Sequence, residues 1–217
     1  MRLKTEEHAA EPWRLPQVAP DFALLDAWAL PARGNEEDFD DLVKLWSTLD
    51  PAQASSSVSR FLFKLRERLG QWFGWDDETN TLPIPGCQES SLRGRLPPDL
   101  APLPLPEHPK SPFVPVFRTR NEWGGELSNS TVHAAVQLGW VRQPGGDFRG
   151  QLGIYVKTRG PFGRAYMAAI APFRHYIVYP ALMRQVGKLW DHRHRATASE
   201  AACVGVPAGA RSCARGL

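Results

Sequence analysis

The sequence predicts an α+β fold in which a curved antiparallel sheet wraps on a long C-terminal helix. Residues 131–158 alternate apolar and polar side chains with a period of two, which is typical of strands with one buried face. The Pro-Gly-Gly sequence at 144–146 divides this segment into the two arms of a hairpin. Residues 160–190 instead repeat apolar side chains at helical spacing, so they are predicted to form the long helix.

The N-terminal part of the chain is predicted to contribute one strand and two helices. The apolar segment 21–31 is typical of a strand. Asn35 is placed to cap a helix whose first turn is acidic, and apolar residues at 39, 42, 43 and 46 then follow one helical face. A second amphipathic helix is predicted over residues 58–73 by the same spacing.

Composition divides the chain into one domain with flexible ends. The polar residues 1–12 are expected to be a flexible N-terminus, and residues 13–192 a single domain. Within it, residues 83–112 are rich in proline and are predicted to form a long loop, because proline lacks a backbone donor. Two strands are expected over 113–129, and the patternless residues 193–217 are expected to be a disordered tail.

The long C-terminal helix contains two prolines, Pro172 and Pro180. The apolar residues before Pro172 and those after Pro180 do not fall on one continuous helical face. Proline interrupts or kinks a helix, so we expect the helix to change direction between these two positions.

The composition favours a globular protein of the cytoplasm. Apolar residues make up 42% of the chain, and eight tryptophans indicate a substantial core. No apolar run reaches the ~18 residues of a membrane span, and the N-terminus lacks the apolar core of a signal peptide. Three cysteines without ligand spacing predict neither a disulfide framework nor a metal site.

Charge is distributed unevenly, because acids are concentrated in the first 60 residues and Lys and Arg predominate after residue 110. The basic residues are scattered singly among apolar ones, which favours a solvated face over a nucleic-acid interface. The glycine-rich signatures of dinucleotide and phosphate binding are absent from the sequence, so no cofactor is expected.

Three blocks of sequence carry a resemblance to a known family: "FLFKLRERLGQWFGWD" (61–76), "NSTVHAAVQLGWV" (129–141) and "GRAYMAAIAPFRHYIVYPALMRQVGKLW" (163–190). Together they resemble an uncharacterised bacterial, mainly actinobacterial, domain-of-unknown-function family, from about Phe22 to Trp190. The order of elements is similar to the helix-grip fold of the START, plant-allergen and polyketide-cyclase (SRPBCC) superfamily. The resemblance implies a cavity between sheet and helix, and a separate reductase as partner, because family members occur fused behind NAD(P)-binding reductase-like domains.

Several polar residues are candidates for chemistry. His133 is interpreted as a histidine on the solvent face or as a general base, because it alternates with the apolar residues of its strand. The pair Arg174-His175, with Tyr176, is interpreted either as surface or as donors to a bound carbonyl. Glu122 and Glu126 are expected to be exposed carboxylates of a glycine-rich hairpin.

The sequence therefore predicts a protein that binds a hydrophobic, lipid-like or polyketide-like small molecule. The alternatives are an enzyme of the cyclase or dehydratase type, using Tyr155, His133 or His175, and an accessory protein of a separate reductase. The apolar residues that meet between sheet and helix are expected either to fill the core or to leave it partly hollow, as a cavity for the ligand. These residues are Val136, Leu138, Trp140, Leu152, Ile154, Tyr166, Ile170 and Phe173.

Overall fold

A computed structural model of the protein describes residues 1–49, 91–105, 113–128 and 132–204, with side chains as far as Arg195 apart from Phe162. It contains a five-stranded, wholly antiparallel sheet with helices packed on it, which confirms the α+β class and the long C-terminal helix. The predicted helix at 58–73 and half of the predicted loop, residues 83–90 and 106–112, lie outside the described residues.

The sheet has the strand order β1-β5-β4-β3-β2. Its strands are β1 (Ala23–Gly34), β2 (Val114–Arg118), β3 (Glu122–Ser128), β4 (Val132–Arg142) and β5 (Phe148–Thr158). The predicted hairpins are present, with Gly146 at φ 90° in the turn between β4 and β5, a conformation that favours glycine.

One face of the sheet forms the main core. Trp28, Leu152, Leu138 and Trp123 are successive cross-strand partners and make an apolar row across four strands. Helix α3 (Phe39–Thr48) and the C-terminal helix cover this row, contributing Phe39, Leu42, Val186 and Trp190 among others. Burial of these side chains is the main stabilising contribution on this side of the sheet.

Helix α3 begins where the sequence predicted. Asn35 and Asp38 form a capping box, in which the side chain of each accepts a hydrogen bond from the backbone of the other. A single 3-10 turn, Glu36–Asp38, therefore connects β1 to the helix.

The C-terminal helical region is interrupted between its two prolines. It runs as α4 (Gly160–Ala169), a short turn at Ala171–Phe173, a π-helical turn at Arg174–Val178, and α5 (Tyr179–Val204). Pro180 cannot donate a hydrogen bond to the carbonyl of residue 176, and its ring pushes that carbonyl aside, which accounts for the wider turn before it. The predicted change in the helix is therefore observed as a π-helical turn.

The opposite face of the sheet is covered by the N-terminal residues and by residues 91–100. Helices α1 (Thr5–Ala9) and α2 (Leu15–Val18) lie there, together with a 3-10 turn at Leu92–Arg95. Gly139 and Gly153 allow this close approach, since a Cβ at either position would lie 2.7 Å or less from the ring of Trp13 or of His8.

Both ends of the described chain carry secondary structure. Within residues 1–12, Leu3 and His8 are buried, and residues 1 and 3 form backbone hydrogen bonds with β1. Helix α5 continues to Val204, past the expected end at residue 192, because residues 193–204 contain neither glycine nor proline and include several alanines.

Candidate functional site

Asp26 is the centre of a polar cluster on the helix-covered side of the sheet. It lies in β1 just after an irregularity in the pairing with β5, and only 2% of its surface is exposed. A buried carboxylate is costly unless it is hydrogen-bonded or ion-paired, so its partners define the site.

Two side chains from the C-terminal helical region bind the two oxygens of Asp26. His175 Nε2 lies 2.6 Å from Oδ1, and the hydroxyl of Tyr179 donates to Oδ2 at 3.0 Å. His175 belongs to the π-helical turn and Tyr179 begins α5, so the interruption between the prolines presents both to one carboxylate.

The geometry determines which nitrogen of His175 is basic. A carboxylate only accepts hydrogen bonds, so Nε2 carries the proton that lies between the two groups. In the neutral imidazole the lone pair is then on Nδ1, which has no hydrogen-bond partner among the described residues. About a quarter of the His175 side chain is exposed, whereas the Asp26 side chain is 1% exposed. The pair therefore consists of a buried orienting carboxylate and an accessible base.

Tyr179 remains a hydrogen-bond donor at all ordinary pH values. Burial, and then the negative charge of Asp26, raise the pKa of the Tyr179 hydroxyl above its usual range. Its ring packs on Trp28 at 4.9 Å between centroids, and the buried Nε1 of Trp28 has no hydrogen-bond partner among the described residues.

Two arginines complete the cluster at a longer distance. Arg2 Nη2 lies 3.6 Å from Oδ1 of Asp26, and Arg174 Nη2 lies 3.7 Å from Oδ2. Both distances suit an ion pair but are too long for a hydrogen bond.

A second polar network, on the opposite face of the sheet, holds the N-terminal residues in place. Glu122 accepts hydrogen bonds from the backbone of Arg14 and Leu15, at the start of α2, and from Gln137 Nε2 at 2.7 Å. Gln137 Oε1 contacts His8 Nε2 at 2.8 Å. Burial raises the pKa of Glu122, although these hydrogen bonds oppose the change.

Glu126, four residues further along β3 and on the same face, has a similar role. It contacts His133 Nε2 at 2.9 Å and accepts hydrogen bonds from the Ser91 hydroxyl and the Leu92 backbone. Burial alone would raise the pKa of Glu126, but the hydrogen bonds from His133, Ser91 and Leu92 outweigh it and lower the pKa. Since each carboxylate meets the first backbone N–H groups of a short helical turn, this network joins covering segments to the sheet.

These findings correct three expectations. Glu122 and Glu126 are 1% and 2% exposed, not on the surface, and His133 is fully buried, because covering segments occupy the face predicted to meet solvent. Tyr155 is also buried on that second face, so neither it nor His133 points towards the helix-covered core. Arg174 and His175 face Asp26 and are not a surface pair.

The eight predicted cavity residues fall into two groups. Val136, Leu138, Trp140 and Leu152 are at most 1% exposed and belong to the packed core with α3 and α5, and Ile154 packs against it. Tyr166 and Ile170 are half-buried on the helical region, and Phe173 is 46% exposed, next to Arg174. Two open surface depressions, one beside Pro31 and Gly187 and one at the β4–β5 turn, are lined by none of the eight.

Asp26 and Tyr179 were not recognised from the sequence as site residues. A signal was present in the strand "ALLDAWALP", where Asp26 is the one charged residue among apolar neighbours. A second signal is the spacing of four residues between His175 and Tyr179, which places two polar rings on one helical face. Nothing local linked the two segments, since they are about 150 residues apart.

The fold and the site define an α+β protein with a covered antiparallel sheet and an Asp-His-Tyr cluster between its first strand and its C-terminal helix. The family model described as "Protein of unknown function (DUF2867)" matches residues 18–181. The chain belongs to this family. No curated protein and no solved structure matches the chain significantly. Among the described residues, no helix is long and apolar enough to cross a membrane.

Proposed function

We propose that this protein is an enzyme that transfers a proton on a hydrophobic small molecule, with His175 as the general base. The observation that carries the proposal is the 2.6 Å contact between His175 Nε2 and the buried Asp26, which leaves Nδ1 on the accessible side. A histidine held by a buried carboxylate is a common arrangement for general base catalysis.

In the proposed step, His175 Nδ1 accepts a proton from a C–H or O–H bond of the substrate. That bond breaks, its electron pair stays on the substrate, and the imidazolium that forms is stabilised by Asp26. Tyr179 holds the second oxygen of Asp26 and so fixes the carboxylate in the plane that His175 requires. The same imidazolium can return the proton, as a cyclase or dehydratase reaction needs.

The hydrophobic nature of the substrate is supported by the apolar side chains along the same helical region. Phe173 is half-exposed and directly precedes Arg174 and His175, and Ile170 lies one turn before it. Tyr176 and Val178 of the same region are also exposed, and exposed apolar surface rimmed by polar residues is a feature of ligand-binding grooves.

The second candidate is a binding protein that carries a hydrophobic, lipid- or polyketide-like ligand without changing it, alone or beside a separate reductase. The exposure of Phe173 supports binding of a hydrophobic ligand, which both candidates require. The two differ only in whether His175 exchanges protons with the ligand.

The test is proton exchange in D₂O, followed by NMR, with a panel of hydrophobic acyl thioesters, 1,3-dicarbonyl compounds and 3-oxo acids. We expect the wild-type protein to accelerate C–H exchange in at least one compound, and His175→Gln to reduce the rate by about 10²–10⁴-fold. His192→Gln is the matched control, because His192 is an exposed histidine of the same helical region. If a compound binds but its C–H protons do not exchange, the proposed enzymatic role is wrong and the carrier function is supported.

A further inference from the structure

The cluster around Asp26 contains more positive than negative charge. Arg2 and Arg174 form ion pairs with Asp26 and with no other carboxylate in the described parts of the chain. Two guanidinium groups face one carboxylate, so one guanidinium charge has no matching carboxylate in the cluster. Such a balance favours an anion at the site.

The hydrogen-bonding capacity of Asp26 is already used by His175 and Tyr179, so neither arginine makes a hydrogen bond to it. For Arg2 this matters little, because its side chain is 56% exposed and meets solvent. The Arg174 side chain is only 14% exposed. The two arginines therefore differ in how much they need a further partner.

Arg174 carries buried donors without acceptors. Its Nε and Nη1 atoms are inaccessible to solvent and have no hydrogen-bond partner among the described residues. A buried guanidinium is costly unless its N–H groups are hydrogen-bonded, and its planar shape matches the two oxygens of a carboxylate or phosphate. The residue directly follows the half-exposed Phe173 and directly precedes the proposed base.

We propose that Arg174 is the binding residue for a carboxylate group of the ligand, so that the protein takes an amphiphilic carboxylic acid. The Nε and Nη1 atoms are closed to solvent in this conformation, so the Arg174 side chain turns outward to place its guanidinium on the carboxylate. The apolar chain extends over Phe173 and Ile170, and the carbon next to the carboxylate is brought towards His175. This inference rests on the proposed function for the site, and it adds the chemical class of the substrate.

Binding of octanoate, octan-1-ol and octylamine to the full chain, measured by isothermal titration calorimetry, tests the proposal. These probes share the apolar chain and differ in the head group. We expect octanoate to bind at least about tenfold more tightly than the other two, since charge-assisted hydrogen bonds to one guanidinium supply that difference. Arg174→Gln should remove this preference, and Arg174→Lys should keep part of it.

Two further variants separate this inference from the proposed function. Arg164→Gln, an exposed arginine of α4, should leave octanoate binding unchanged. His175→Gln should abolish proton exchange but retain the preference for octanoate, so loss of exchange alone overturns only the enzymatic role. Equal binding of the three probes to the wild-type protein would overturn the carboxylate assignment, and so would an octanoate preference that persists in a folded Arg174→Gln variant. If Arg174→Gln does not fold, the preference for octanoate over the other two probes is compared between wild-type protein and Arg174→Lys, and this comparison tests the carboxylate assignment.

Discussion

His175 and Asp26 are 149 positions apart in the chain, and the distance between Nε2 and Oδ1 is 2.6 Å. The contact joins the edge strand β1 to the π-helical turn before α5. It is also the contact from which the tautomer of the imidazole follows, and on which the proposed proton transfer depends.

Asp26→Asn is expected to change the tautomer of His175 without a large change of shape. The Asn side chain can present an N–H to the imidazole, so Nε2 no longer needs the proton and the lone pair need not lie on Nδ1. Nitrogen-15 NMR of the imidazole should show Nε2 protonated in the wild-type protein and a mixed or reversed tautomer in the variant. Asp191→Asn, at an exposed position of α5, should leave the spectrum unchanged.

Tyr179→Phe is expected to destabilise the fold by about 1–3 kcal/mol, because it removes one hydrogen bond from a carboxylate that stays buried. The ring packing on Trp28 is preserved, so the change measures the hydroxyl alone. Urea unfolding gives the free energy. Tyr176→Phe provides the control, since 82% of Tyr176 is exposed, and its change should stay within about 0.5 kcal/mol. Equal changes in the free energy of unfolding of the two variants would contradict a stabilising role for the Tyr179 hydroxyl.

Glu126 is expected to make stability depend on pH in the acid range. Its pKa is lower in the folded protein than in the unfolded chain, so the ionised carboxylate stabilises the fold above its ordinary pKa of 4.5. This stabilisation is lost as the pH falls through the lower, folded pKa. Thermal unfolding from pH 3 to 7 should therefore show a gap between wild-type protein and Glu126→Gln that narrows towards acid pH. A gap that is constant over this range would mean that the charge of Glu126 contributes nothing.

Gly153→Ala is expected to loosen the N-terminal residues from the sheet. A Cβ at position 153 would lie 2.7 Å from both Gln137 Oε1 and His8 Nε2, so one of these partners has to move. Such overpacking costs about 1–3 kcal/mol. Limited proteolysis should cut the variant within residues 1–12 faster than the wild-type protein. Gly94→Ala should have no such effect, because no atom lies within 4 Å of the added carbon.

The regular elements could be predicted from the sequence because their signals are local. The alternation in β4 identified the face that carries Val136 and Leu138, and the Asn35 cap located the start of α3. The prolines at 172 and 180 indicated where the C-terminal helix is interrupted. Period, caps and proline act within a few residues of chain, so a single sequence contains them.

The burial of the polar residues could not be predicted, because it depends on which segments cover the second face of the sheet. An alternating strand indicates one apolar face, and its polar residues by themselves predict that the other face meets solvent. Instead, Gln137, His133 and the two glutamates meet donors and acceptors from residues 8–15 and 91–92. The Asp26 site, on the helix-covered face, could not be predicted because its partners His175 and Tyr179 come from a segment about 150 residues further along the chain.

The covering of the sheet by the N-terminal residues has a consequence for synthesis of the protein. His8 is synthesised before its partners Gln137 and Gln151, which follow 129 and 143 residues later in the chain. Contacts between such distant residues form late and slow the folding of a chain. The apolar side chains of Trp13 and Leu15 therefore stay uncovered until strands β3 to β5 have been made, which makes this segment a binding site for chaperones during translation.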